Sequence, residues 1–189
     1  MLQSADASLL ELLVPWHTTW LDAVMAGISA AGSGGALWIA LGIFGLAAPR
    51  WRAGAWRLLL TIGLTLLINN AVLKPIIARP RPAVAAKAAD RHLPLRPSSY
   101  SFPSGHTAVS VASAIALSRL WPAARVAWWT IAALTAYSRL YLGHHYPLDL
   151  VGGAIVGILI AYWVLGGRHP ATDARTLPLP LPARTIVRP

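Results

Sequence analysis

The chain has 189 residues, 56% of them hydrophobic and 12% charged, with a mean hydropathy of +0.56, which bounds it to one domain and excludes an ordinary soluble globule. A formal charge of +10 would suggest nucleic acid in a soluble protein, but here Lys and Arg lie between apolar runs, so loop charge and headgroup contact account for it and no nucleic-acid partner is expected. The absence of Cys excludes disulfides, thiolate chemistry and Cys-ligated metal.

In chain order, residues 1–15 carry Asp6 and Glu11 and lack a basic leader, so they do not read as a cleavable signal peptide. "SADASLLELLV" predicts a short helix with Leu9, Leu10, Leu12 and Leu13 on apolar material, too short to cross a bilayer and therefore interfacial. Between Asp22 and Arg50 there is no charge, and "AAGSGGA" interrupts the middle. Two short spans are expected, about 17–31 and 34–48, turning at Gly32–Gly35. One continuous helix is the alternative, because small residues also serve helix contacts. A third span runs from about Ala55 to Ile77, with Lys74 near its end. The fourth runs from Ser104 to Leu120, where Pro122 stops it. The fifth, about Ala123–Leu142, contains Arg139, and the sixth runs from Pro147 to about Gly166.

The expected fold class is all-α: an integral membrane bundle of six transmembrane helices with a short N-terminal interfacial helix. Several spans are shorter than the ~20 residues a crossing normally takes, so tilt or snorkelling ends are needed. Trp16, Trp20, Trp51, Trp56, Trp121 and Trp163 flank the apolar runs, as interfacial aromatics do. The Pro-rich residues 167–189 cannot build a packed core and are expected as a disordered tail outside a 1–166 membrane domain. With the N-terminus inside, the cytoplasmic face takes Arg50, Arg52, Arg57, Arg119, Arg125, Arg168, Arg175, Arg184 and Arg188. The other face takes Lys74, Arg79, Arg81, Lys87, Arg91, Arg96 and Arg139. That bias is small unless some of the outer cations are held there for chemistry.

Charge intrudes on apolar sequence in three places. In "LKPIIARPRP", Lys74 and Arg81 bracket a Pro-stiffened stretch, a pattern that basic residues snorkelling to headgroups also produce. In "FPSGHTAV", Ser104 is a good N-cap and Gly105 lets backbone amides approach a ligand, so the helix start is an anion site in which His106 can donate a proton. An ordinary capped helix with a membrane-edge His is the competing reading. In "SRLYLGHHYPLDL", Arg139 is an intramembrane cation, which by default suggests function. Four residues separate His145 from Asp149, so a helical turn would place the carboxylate under the imidazole and leave the other ring nitrogen as a nucleophile. His144 has no partner at this spacing and reads as peripheral. A His–Asp metal site fails on ligand count and on the repulsion of three cations, so no metal and no cofactor are expected. Fixed cations, an oriented His and a lone His fit phosphoryl transfer.

These residues resemble the tripartite signature of the type 2 phosphatidic acid phosphatase superfamily, K-x6-R-P, P-S-G-H and S-R-x5-H-x3-D. Here the three parts are Lys74 to Arg81-Pro82, Pro103-Ser104-Gly105-His106, and Ser138-Arg139 with His145 and Asp149. The resemblance implies a lipid phosphatase in which His145 attacks phosphorus, Asp149 orients His145, and His106 protonates the leaving oxygen. Lys74, Arg81, Ser104, Gly105 and Arg139 would hold the phosphate. It further implies a multi-pass protein of the bacterial inner membrane with an extracytoplasmic site. Its partners would be a lipid phosphate substrate and membrane lipids. Small size points to undecaprenyl pyrophosphate, with phosphatidylglycerophosphate, phosphatidic acid, lipid A and other prenyl phosphates as alternatives. Lys87, Arg91 and Arg96 in the 83–100 linker are available for a second phosphate or form a solvated basic loop. A non-catalytic protein binding anionic lipid would need the cations but not the aligned His145–Asp149 pair.

Overall fold

A computed structural model of the chain describes residues 2–13, 17–82 and 99–166, and every structural statement below concerns these. Among them all regular structure is helical: α1 (Leu2–Leu13), α2 (Thr19–Ala31), α3 (Ala36–Leu46), α4 (Pro49–Leu67), α5 (Lys74–Ile77), α6 (Gly105–Leu120), α7 (Arg125–Tyr141) and α8 (Pro147–Leu165). A π-helical stretch, Ile68–Leu73, joins α4 to α5. Local sequence explains the ends. Pro49 and Pro147 occupy first-turn positions, where a missing N–H costs nothing. Ser104 caps α6 by accepting from the Thr107 amide, and Gly166 stops α8 in the left-handed conformation.

Helix α6 is the centre of the bundle, packed by α4, α7 and α8. Trp38, Leu58, Ile62, Val109, Ala114 and Leu117 form its buried core, and the Trp38 indole donates to Ser110 Oγ at 3.1 Å. Outside, Trp20, Phe44, Trp56, Val126, Leu159 and Trp163 are exposed, the surface of a protein whose solvent is lipid. The α6–α8 seam depends on small residues. A Cβ on Gly157 would lie 2.3 Å from the Ala108 carbonyl oxygen, and one on Gly153 2.5 Å from that of Ser104. Backbone cannot yield as a side chain can. Gly157→Val should therefore lower stability by about 3 kcal/mol or more, seen as a lower melting temperature in detergent. Gly63→Ala, whose Cβ meets nothing within 4 Å, is the control and should melt no lower.

The six separate crossings expected from sequence are not confirmed among the described residues. Two helices are long and apolar enough to cross a membrane, Pro49–Ile77 and Pro147–Leu165, and α2 with α3 makes a third bent by 45°. The first two predicted spans do not turn back at Gly32–Gly35. Tyr141 at the end of α7 donates to Asp22 near the start of α2, whereas Gly45 near the end of α3 packs on Ala55 and Trp121 at the opposite end of the bundle. They are halves of one path. Gly34 and Gly35, both with positive φ, break the helix without reversing it. Helices α6 and α7, with 16 and 17 residues, fall short of a normal span. A consequence concerns the N-terminus: Asp6 of α1 contacts Arg79 and the first turn of α8, so α1 sits at the same end as Lys74 and Arg139, not opposite them. The tail 167–189, with Arg168, Arg175, Arg184 and Arg188, lies outside the described residues.

Candidate active site

The site is assembled where α5, α6, α7 and α8 begin or end. The π-helical stretch presents Asn69 inward, and its Nδ2 donates to the Pro103 carbonyl at 3.3 Å, which seats the α6 turn against α4. Next to it, Lys74 is buried. A Cβ on Gly105 would come within 3.3 Å of Asn69 Nδ2 and 3.8 Å of Lys74 Nζ, so glycine lets the ammonium approach the start of α6. Ala78, at φ 49°, ends α5 in the left-handed region, and "RPRP" continues extended because Arg79 and Arg81 each precede a proline, which disfavours the helical conformation there.

That extended stretch delivers Arg81, which is buried and fully engaged. Its Nε and one terminal nitrogen donate to the Ser99 carbonyl (2.7 Å), Ser99 Oγ (3.1 Å) and the Tyr100 carbonyl (3.2 Å). The other donates to the His144 carbonyl at 2.6 Å and stands 3.2 Å from His145 Nε2. Arg139, in the last turn of α7, donates to Ser29 Oγ of α2. In the α7–α8 loop His145 is 1% exposed, with Nδ1 3.4 Å from Asp149 Oδ2. Burial, with Arg81 and Arg139 adding to it against the opposing pull of Asp149, lowers the His145 pKa to about 4. The ring is therefore neutral at physiological pH, with the N–H toward Asp149 and the lone pair toward Arg81.

Asp149 has three duties. Its Oδ2 accepts from the Tyr146 amide at 2.9 Å, its Oδ1 accepts from Arg79 at 2.6 Å, and its carbonyl accepts from the Ser104 amide at 2.9 Å. A cavity of about 490 Å³ opens between these elements. Lys74, Arg81, Gly105, His106, Arg139 and His145 all line it, and Gly32, Gly34, Gly35, Leu66 and Val109 give it an apolar side. His106 Nε2 lies 3.5 Å from Ser33 Oγ. The three sequence intrusions thus meet around one space, with both imidazoles on its wall. Ser104 and Asp149 stand behind that wall: both are fully buried, and the Ser104 hydroxyl accepts from Thr107 Oγ1 at 3.0 Å.

His144 is not peripheral. It is buried, and its carbonyl holds Arg81. Sequence reasoning also passed over Asp6, Ser29, Ser33 and Asn69, and counted Arg79 only as loop charge. Arg79 bridges Asp6 (2.7 Å) and Asp149 (2.6 Å) and lies over the Tyr146 ring at 4.2 Å. Burial opposes its charge, but hydrogen bonds and attraction from the two carboxylates outweigh that and raise its pKa. No local pattern announces these contacts, because Asp6 and Arg79 are 73 residues apart. Lys87, Arg91 and Arg96 lie outside the described residues. Among the described residues, no three of His, Cys, Asp and Glu converge as a metal site would need.

An apolar-surfaced helical bundle is the architecture of an integral membrane protein, and the cavity at one end is cationic and bears two imidazoles. Residues 54–172 match the family model described as the PAP2 superfamily, and the chain belongs to that superfamily. It is 34% identical over 178 residues to phosphatidylglycerophosphatase B of Bacillus subtilis (strain 168), covering 87% of this chain and 83% of that protein. The fold is similar to the crystal structure of a transmembrane PAP2-type phosphatidylglycerolphosphate phosphatase from Bacillus subtilis. The TM-score is 0.70 and the identity 30%, over 88% of this chain and 85% of that one. Undecaprenyl-diphosphatase BcrC of Bacillus subtilis (strain 168) is 33% identical over 102 residues, 53% of this chain and 51% of that protein.

Proposed function

We propose that the chain removes the terminal phosphate of a membrane lipid through a phosphohistidine on His145. One observation carries the reading: His145, backed at Nδ1 by Asp149, shares a cavity wall with His106, Lys74, Arg81 and Arg139. The three cations hold the phosphoryl oxygens, Arg81 by turning its His145-facing N–H onto the phosphate and so freeing the Nε2 lone pair, together with amides at the start of α6 around Gly105. The His145 Nε2 lone pair attacks phosphorus, the N–P bond forms, and the bond from phosphorus to the lipid oxygen breaks. Protonated His106 gives that oxygen its proton. The imidazole substituted at Nε2 is cationic, and the Asp149 carboxylate at Nδ1 stabilises it. Neutral His106 then takes a proton from water, whose oxygen attacks phosphorus, and cleavage of the N–P bond returns His145 as a neutral ring. Ser104 acts from behind the wall by capping α6.

Phosphatidylglycerophosphate is the proposed substrate, ahead of undecaprenyl diphosphate. The match to phosphatidylglycerophosphatase B runs through most of both chains, whereas that to the undecaprenyl-diphosphatase covers about half of each. A phosphate-release panel tests the choice, with phosphatidylglycerophosphate, undecaprenyl diphosphate and phosphatidic acid in the same detergent. The highest kcat/KM is expected on the first. EDTA should leave turnover essentially unchanged, because arginine and lysine supply the positive charge. Turnover abolished by EDTA and restored by Mg2+ would refute that mechanism.

Charge supports an extracytoplasmic site in a bacterial inner membrane. The far end carries Arg50, Arg52, Arg57, Arg119 and Arg125, while at the site end Lys74, Arg81 and Arg139 are buried and Arg79 is balanced by two carboxylates. Among the described residues, the cations left without burial or a counterion therefore lie at the far end, as a cytoplasmic face would have them.

A further inference from the structure

Helix α1 is exposed along most of its length, yet Asp6 within it is only 2% exposed. Its Oδ2 accepts from Arg79 at 2.7 Å and its Oδ1 accepts from the Leu148 amide in the first turn of α8 at 3.1 Å. Leu10, one turn on, packs with Leu140 and Tyr146 on either side of the catalytic loop. Arg79 in turn spans Asp6 and Asp149 with its two terminal nitrogens. Neither residue lines the cavity. The chain of contacts is continuous: Asp6 to Arg79, Arg79 to Asp149 Oδ1, Asp149 Oδ2 to His145 Nδ1.

We infer that Asp6 and Arg79 are positioning residues for the His145–Asp149 pair, with the N-terminal helix clamping the arginine that sets how much carboxylate charge His145 feels. The inference rests on the phosphohistidine reading given above. A carboxylate facing only His145 would favour the imidazolium, which has no lone pair to attack with. Arg79 shares that charge and fixes the carboxylate plane by a charge-assisted bond. An unclamped guanidinium could leave; Asp6 and the Tyr146 ring prevent it. The other basic groups facing His145 are Arg81, Arg139, Lys74 and His106, lining the cavity from the extended stretch, α7, α5 and α6, with the Tyr100 phenol also on its wall. The basic groups disfavour an added proton on His145, so Asp149 is the group whose charge Arg79 must balance.

The test uses the full chain in detergent with phosphatidylglycerophosphate, comparing Arg79→Gln, Asp6→Asn and the double variant with the parent. For Arg79→Gln, kcat should fall about tenfold with little change in KM, the scale of one lost charge-assisted bond. The acid limb of kcat/KM should move upward by about one pH unit, because His145 is then protonated more readily. Substrate ionisation is common to all variants and cancels in the difference. Asp6→Asn should move the limb in the same direction by less. The double variant should match Arg79→Gln, since both act through one contact chain. Should Arg79→Gln fail to fold, Asp6→Asn carries the same readout. An unmoved acid limb in the variants that fold, an unchanged kcat, or additive losses in the double variant would overturn the inference. His145→Ala separates the two ideas: if it is inactive while Arg79→Gln is unaffected, only the positioning role fails, and if it is active the underlying mechanism fails.

Discussion

His145→Ala should cut phosphate release by at least about 10⁴-fold, the scale seen when the nucleophile of a covalent mechanism is deleted. The loss belongs to kcat, because Lys74, Arg81 and Arg139 remain in place to bind the anion. Arg81 keeps its bonds to Ser99, Tyr100 and the His144 carbonyl without the ring. Lipid phosphate should therefore still bind, and competition against a labelled substrate would measure it. The parent protein, quenched in alkali during turnover, should carry an acid-labile phosphate that the variant lacks. A variant with near-parental turnover would remove the covalent step, and with it the reason for two imidazoles on one cavity.

Asp149→Asn should follow with a fall of about 10⁴-fold in kcat and little change in KM, as for other His–carboxylate pairs neutralised in place. The substitution conserves volume, and an amide oxygen can still accept from the Tyr146 amide, so α8 keeps its start. What goes is charge. His145 loses the anion that stabilises it as a phosphorylated cation, and the Nδ1–H loses its strongest acceptor. Arg79 loses one of two counterions. KM is spared because Asp149 does not reach the cavity. Retention of more than a tenth of parental kcat would mean that the carboxylate braces the loop and has no part in the chemistry.

The residues that line the candidate site were largely legible in sequence because each of its parts is local. Ser104 before an apolar run fixes a helix start within four residues, and the His145–Asp149 spacing is one helical turn. Arg139 stood out because a cation is costly inside an apolar helix. The path of α2 and α3 was not legible. Four small residues are compatible with a reversal, a continuous helix or a bend, and only the packing of Gly35 on Val109 and Ile62 and of Gly45 on Ala55 selects the bend. The sequence placed α6 but not its surroundings: this helix is walled in by α4, α7 and α8 and meets protein instead of lipid.

By itself, the amino-acid sequence determined that this protein lies in a membrane, is helical, and carries cations and imidazoles fit for a phosphate, since hydropathy, capping and i, i+4 spacing act over a turn or two of chain. Tertiary structure alone decided that α1 shares an end with the site, that Asp6 holds Arg79, that His144 lends its carbonyl to Arg81, and that Ser104 and Asp149 are buried behind the cavity wall. Those contacts join segments about 60 to 140 residues apart, and their energy depends on which helices pack together, which no local pattern encodes.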